Sequence, residues 1–280
     1  MTVPFVLVDM FDFDRHHFRV YEPGDSSNSD WLSPLAQEYI KLLTRRETAF
    51  RKIVVNQNDL QMDVPRIQKY LRKASIPKYK EDDFNVVRSD FGELLCYMLL
   101  ERDYGTLFGA KSICHRELRD LPGRGIDAIG IERDTNDLLT LVLCEVKVSD
   151  ERKSPPQVVD DSKDGLSKQH RHHLDNLNEA TKDKVWRAMR FTKDEDTADL
   201  LTIAAAFLEE NQLDRLRIII SSVLIRPKAK YTQADFGSFR KTPGKYEPAT
   251  IRFLIACIPD ATDVIIKAWY DVVEKTEVPV

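Results

Sequence analysis

Cysteine is scarce in this 280-residue chain, and the four that occur, Cys96, Cys114, Cys144 and Cys257, stand far apart. None makes the close pair that a zinc or redox site needs, and three lie in apolar runs, so reduced core thiols in a cytoplasmic protein are expected. Long apolar runs are lacking too. The N-terminal MTVPFVLVDMFDFD has neither a basic start nor a small-residue cleavage site and reads as a first strand, and no segment reaches membrane-spanning length. Positive charge is not in excess: 42 Lys and Arg against 46 Asp and Glu leave a net charge of −4, so nucleic acid would have to be bound by local basic patches. Internal repeats and low-complexity tracts are absent. The remaining composition, 42% hydrophobic and 31% charged, is that of an ordinary soluble protein with enough chain for a buried core.

Periodicity places the elements. Residues 3–10 read as a strand, followed by a loop that runs on to residue 30. Ser33 and Pro34 read as the N-cap and first position of a helix carrying Leu35, Tyr39, Leu42 and Leu43. A short strand at 53–55 and a helix at 63–73 follow, and the charged stretch 78–83 divides an N-terminal α/β region, 1–85, from the rest, 86–280. From Ser89, the residues Phe91, Leu94, Leu95, Met98 and Leu99 repeat as one face of a helix that ends near Tyr104 and Gly105. A strand is expected over 107–118, a tight connection at 121–125, and then two strands within 124–149 whose apolar residues on both faces imply cover on both sides. Beyond a charged linker with Pro155 and Pro156 come helices at 164–177, 182–191 and 197–210, strands at 216–225 and Thr250–Ile258, and a closing amphipathic helix at 263–275. The sum is an α/β fold with a mixed central β-sheet flanked by helices.

One stretch departs from packing logic. In LCEVKVS, Glu145 and Lys147 emerge on the same side of an otherwise apolar strand, and Asp127 opens the strand before it. Hydrolysis of a phosphodiester needs a cation that neutralises phosphate charge and lowers the pKa of water. Hard Mg²⁺, with Mn²⁺ as its substitute, takes carboxylate oxygens and keeps several waters. Asp127, Glu145 and the carbonyl of Val146 would be the ligands, Lys147 would orient the water and stabilise developing charge, and Glu93 on the preceding helix would complete the site through a metal-bound water. The arrangement makes a geometric demand. A two-residue turn at Thr135 and Asn136 would set Asp127 opposite Cys144, whereas a three-residue turn at 135–137 or a bulge would set it opposite Glu145.

The order helix-Glu, Gly-Ile-Asp, Glu-Val-Lys resembles the PD-(D/E)xK nuclease superfamily. More closely, RSDFGELLCYMLLE at 88–101, GRGIDAIGIE at 123–132 and LCEVKVSDE at 143–151 resemble the HamA nuclease subunit family of Hachiman anti-phage defence, over the middle and C-terminal two-thirds of the chain. The resemblance implies a restriction-endonuclease-like core with an N-terminal α/β extension. It also implies metal-dependent DNA cleavage, a superfamily 2 helicase subunit as partner, Asp127 and Glu145 as ligands, Lys147 as catalytic lysine and Glu93 as the helix acid. The usual Pro-Asp of the superfamily is here Ile126-Asp127.

Each feature has a plainer reading. Asp-x17-Glu-x-Lys arises in any charged hairpin, and Asp90 with Glu93 reads equally as a capping box. The run His170-Arg171-His172-His173 invites a metal, but on a polar helix whose apolar stripe is Leu166, Leu174 and Leu177 a solvated or phosphate-facing role fits better; Lys168 and Gln169 are candidates for phosphate or water contacts. Between Arg226 and Glu247, basic residues alternate with Tyr231, Phe236, Phe239 and Tyr246, which suits either a nucleic-acid or partner surface or a loop packed back on the domain. Besides a nuclease effector, a catalytically silent DNA-binding or helicase-regulating module and a stand-alone restriction-like endonuclease fit these features; nothing resembles a dedicated base-reading module.

Overall fold

The computed structural model describes residues 3–24, 29–44, 69–70, 73–79, 85–114, 125–133, 138–160, 163–192 and 194–277. Seven strands, β1 (Phe5–Phe13), β2 (His16–Pro23), β3 (Leu107–Phe108), β4 (Ala128–Arg133), β5 (Leu139–Val148), β6 (Leu216–Pro227) and β7 (Thr250–Ile258), form one sheet in the order β1-β2-β7-β6-β5-β4-β3. Strands β2, β7, β6 and β5 run parallel to one another, and antiparallel pairs close both edges. The fold is therefore α/β with a mixed central sheet, as periodicity indicated.

Both faces are covered, which explains why β5, β6 and β7 read as nearly continuous apolar runs. On the first face lie α1 (Leu32–Thr44), α2 (Asn85–Tyr104) and α8 (Thr262–Lys275), with Tyr39, Phe91, Leu94, Leu95 and Trp269 packed on Val142, Cys144, Val223 and Leu254. On the second lie α3 (Gln157–Asp160), α4 (Leu166–Asp175), α5 (Leu177–Phe191) and α6 (Glu195–Glu209), over Leu141, Leu143, Ile220 and Phe253. Of region 1–85, β1 and β2 enter this same sheet and α1 packs in the core shared with α2 and α8.

Several expectations change. β2 lies inside the expected loop, because Arg15, His16, His17 and Arg19 mask its alternation; Asp14 turns the hairpin with φ 54°. The strand expected over 107–118 is the two-residue β3, followed by non-strand residues 109–111 and a 3-10 turn at Ser112–Cys114; residues 115–118, the strand at 53–55 and residues 63–68, 71–72 and 80–83 lie outside the described residues, and residues 69, 70 and 73 of the expected helix are helical. α1 begins at Leu32, after a 3-10 turn, so Ser33 is already inside it. α2 begins at Asn85, so Asp90 is interior rather than an N-cap, and its buried carboxylate accepts a hydrogen bond from Tyr39.

The segment 226–247 packs back on the domain. Phe236, Phe239 and Tyr246 are fully buried on the second face, and Arg226, itself 0% exposed, pairs with Asp235 at 2.6 Å. A short helix α7 (Gly237–Lys241) then ties this strap to α3 and α4: Asp160 accepts from the amide and hydroxyl of Ser238, and Tyr246 donates to Ser167 at 2.8 Å. Gly237 is needed at that junction, since its φ is +51° and a Cβ would lie 2.5 Å from a carboxylate oxygen of Asp160.

Candidate active site

β4 and β5 pair with Ala128 opposite Cys144 and Arg133 opposite Leu139. Extended by one residue, this register sets Asp127 opposite Glu145, as the site requires and as an odd loop permits. The turn residues 134–137 themselves lie outside the described residues. Asp127 does not stand idle at the end of β4: the main-chain N–H of Val146 donates to its Oδ2 at 2.8 Å, so the carboxylate ends the ladder.

Alternation along β5 splits the triplet. Val146 and Val148 face α2, and Glu145 and Lys147 face α4. The first side is unusually close, because a Cβ on Gly92 would meet Val146 Cγ1 at 2.8 Å. Glu93, next in α2, is buried on that side and accepts from Tyr97 at 3.1 Å and from Ser112. Ser112 Oγ also lies 3.3 Å from the main-chain oxygen of Asp127, which places Glu93 one hydroxyl away from the Asp127 backbone. Burial, and then the nearby Glu93, push the Tyr97 hydroxyl well above its usual range. Cys96 lies against Cys144, whose sulfur, together with burial, likewise raises the Cys96 thiol, so both remain core thiols.

On the other side α4 closes over Glu145. The carboxylate is 1% exposed and its Oε1 accepts from His173 Nε2 at 2.8 Å. Lys147 Nζ reaches Asp164 Oδ2 at 2.9 Å, and Asp164 Oδ1 accepts from Gln169 at 2.6 Å. His170 is fully buried one turn before His173, and burial, then His173 and Lys147, hold its pKa down to about 3, so it is neutral. Ser222 of β6 lies beside Glu145 in register, fully buried. The solvated reading of the histidine run is thus corrected: His172 and Arg171 are exposed, whereas His170 and His173 face inward. The spacing Leu166, His170, His173, Leu177 is itself a helical stripe, a signal outweighed by the polarity of those side chains. Lys168 is exposed and Gln169 half-buried. Asp164 and Ser222 were not singled out from the sequence, and His173 was noted only within the His170–His173 run.

The structure therefore puts Glu145 and Lys147 on one face of β5, ties the Asp127 carboxylate to the Val146 amide at the end of β4, and buries Glu93 on the α2 side. Two carboxylates and the Val146 carbonyl are a hard oxygen set of the kind that holds Mg²⁺ among retained waters, and so fit that ion. Among the described residues no group of three or more His, Cys, Asp or Glu side chains is placed to hold a metal, so water would have to fill most positions. No helix among them is long and apolar enough to cross a membrane. In comparison with known proteins, residues 9–265 match the family model described as HamA. No curated protein and no solved structure matches the chain.

Proposed function

From the premise that this chain belongs to the HamA family, and so is a component of Hachiman defence, we propose that it is a metal-dependent deoxyribonuclease, the effector paired with a helicase subunit. The observation that carries the reading is the β4–β5 register, Ala128 opposite Cys144, which carried one residue further would set Asp127 opposite Glu145, with Lys147 on the Glu145 face two residues on. The proposal includes a restriction-endonuclease-like core of the PD-(D/E)xK kind. Asp127, Glu145 and the Val146 carbonyl would hold Mg²⁺ or Mn²⁺, which when bound lowers the pKa of a coordinated water and offsets charge on the phosphate. Lys147 would swing from Asp164 to orient the attacking water and to stabilise the pentacovalent phosphate as the bond to the leaving oxygen breaks. Glu93, fixed by Tyr97 and Ser112, would act on Asp127 rather than on the water.

A second reading has its own support. Asp127 and Glu145 are both engaged by protein donors, and Glu145 is almost wholly buried, as suits a silent module that binds DNA or regulates a helicase. Plasmid DNA incubated with Mg²⁺ and the purified chain, with and without the helicase subunit, separates the two. The nuclease reading expects cleavage in at least one combination, abolished by Glu145→Ala and by Lys147→Ala. Intact DNA in every combination, in a pair that still protects cells from phage, would leave the silent module.

A further inference from the structure

Glu145 lies on the α4 face of the sheet among Leu141, Leu143, Leu166 and Leu224, where a carboxylate is costly unless a donor meets it. That donor comes from α4. A carboxylate only accepts, so the 2.8 Å contact makes Nε2 the protonated nitrogen of His173. The His173 side chain is itself only 9% exposed, so packing fixes its ring as well as its partner. Around this pair the polarity exceeds what packing needs: among the described residues neither ring nitrogen of His170, nor the hydroxyl of Ser222, has a hydrogen-bond partner, though both residues are fully buried. Apolar side chains of the same shape would fill that space without the desolvation cost. The strap braces α4 from behind, through Tyr246 on Ser167 and Phe239 against His170 at a ring separation of 5.9 Å. α4 is thus a rigid arm bearing on one carboxylate.

We propose that His173 is a positioning residue for Glu145: its hydrogen bond to Oε1 fixes the rotation of the carboxylate and so the direction in which Oε2 meets a divalent cation. The inference rests on the metal-dependent reading above and assigns to α4 a part in it that the Glu-Val-Lys motif does not contain. His170 and Ser222 line the same buried space, where they offer hydrogen bonds to cation-bound water. His172, one residue earlier and exposed, has no part.

The test is Mn²⁺ affinity of the full-length chain, measured by loss of the free-ion electron paramagnetic resonance signal, with thermal unfolding followed in parallel. His173→Leu fills the same volume without a donor and should weaken Mn²⁺ binding about 10- to 100-fold, the usual loss when a group orienting a ligand is removed. His173→Gln retains an N–H at similar reach and should recover most of the affinity, and His172→Ala should bind as the wild type does. Should the leucine variant fail to fold, the glutamine variant decides, since it must bind within about tenfold of wild type if the donor is what matters. A folded His173→Leu chain that binds Mn²⁺ as tightly as wild type, or more tightly, overturns the positioning role alone. A wild-type chain that binds no Mn²⁺ overturns the metal-dependent reading and the inference with it.

Discussion

The two faces of β5 are equally buried and built by opposite means. On the α2 face the contact is apolar and so close that Gly92 must lack a side chain, with Val146 and Val148 below and the buried Cys96 and Cys144 beside them. On the α4 face the same strand presents Glu145 and Lys147, met by His173 and Asp164. On the nuclease proposal, chemistry and packing are separated across one strand by its period of two. Altering the apolar α2 contacts should cost stability, whereas altering Lys147, paired with an exposed aspartate, should on the nuclease proposal cost function at nearly constant stability.

The largest expected effect is on the α2 face. Phe91 is fully buried against Trp269, with ring centroids 5.2 Å apart, and Phe91→Ala should cost about 3–5 kcal/mol, read as a shifted urea midpoint. Across the strand, Lys147→Ala removes a side chain only 18% exposed but paired with a largely exposed aspartate. If the nuclease proposal holds, cleavage should fall by roughly 10²- to 10³-fold, as when one charge-stabilising donor is lost, with little movement of the melting temperature. A comparable loss of stability in both variants would erase the distinction. Gly92→Ala comes next: the added methyl would sit 2.8 Å from Val146 Cγ1, and overpacking should cost about 1–3 kcal/mol.

These contrasts also explain what could be read in advance. α2 and α8, and the apolar strands β5, β6 and β7, were legible because burial on a regular element leaves a period in the sequence. The register of the β4–β5 hairpin was legible as a demand on the turn: Ala128 stands opposite Cys144, one residue short of Asp127 and Glu145, as an odd loop gives. The α4 face was not legible. His170 and His173 lie on a helical stripe, yet a stripe of polar side chains reads as solvent-facing until the carboxylate opposite is known. The strap was legible only as one of two alternatives: Arg226 and Asp235 are buried together, and their charge left a packed-back segment indistinguishable from a binding surface.

His170 sharpens the comparison through pH. Its folded-state pKa of about 3 lies below the ordinary 6.5, so the folded protein binds fewer protons than the unfolded chain between those values. Its contribution is fully present above pH 6.5 and is lost as pH falls toward 3. Replacement by an apolar ring, His170→Phe, removes that linkage, so the drop in melting temperature between pH 7.5 and pH 5 should be smaller than in wild type. An identical drop in the two proteins would mean that His170 is not buried in neutral form.

The smallest expected effect falls at Asp164, where the comparison is most easily broken. Its side chain is 76% exposed, so the pair with Lys147 should contribute only about 0–1 kcal/mol and fade further with salt. Asp164→Ala should leave the urea midpoint almost unmoved at physiological ionic strength, although the same carboxylate holds both Lys147 and Gln169. A cost of several kcal/mol would make Lys147 part of the packed structure. The charged end of β5 would then be held together for stability, as its apolar face is, and the separation of chemistry from packing across the strand would not stand.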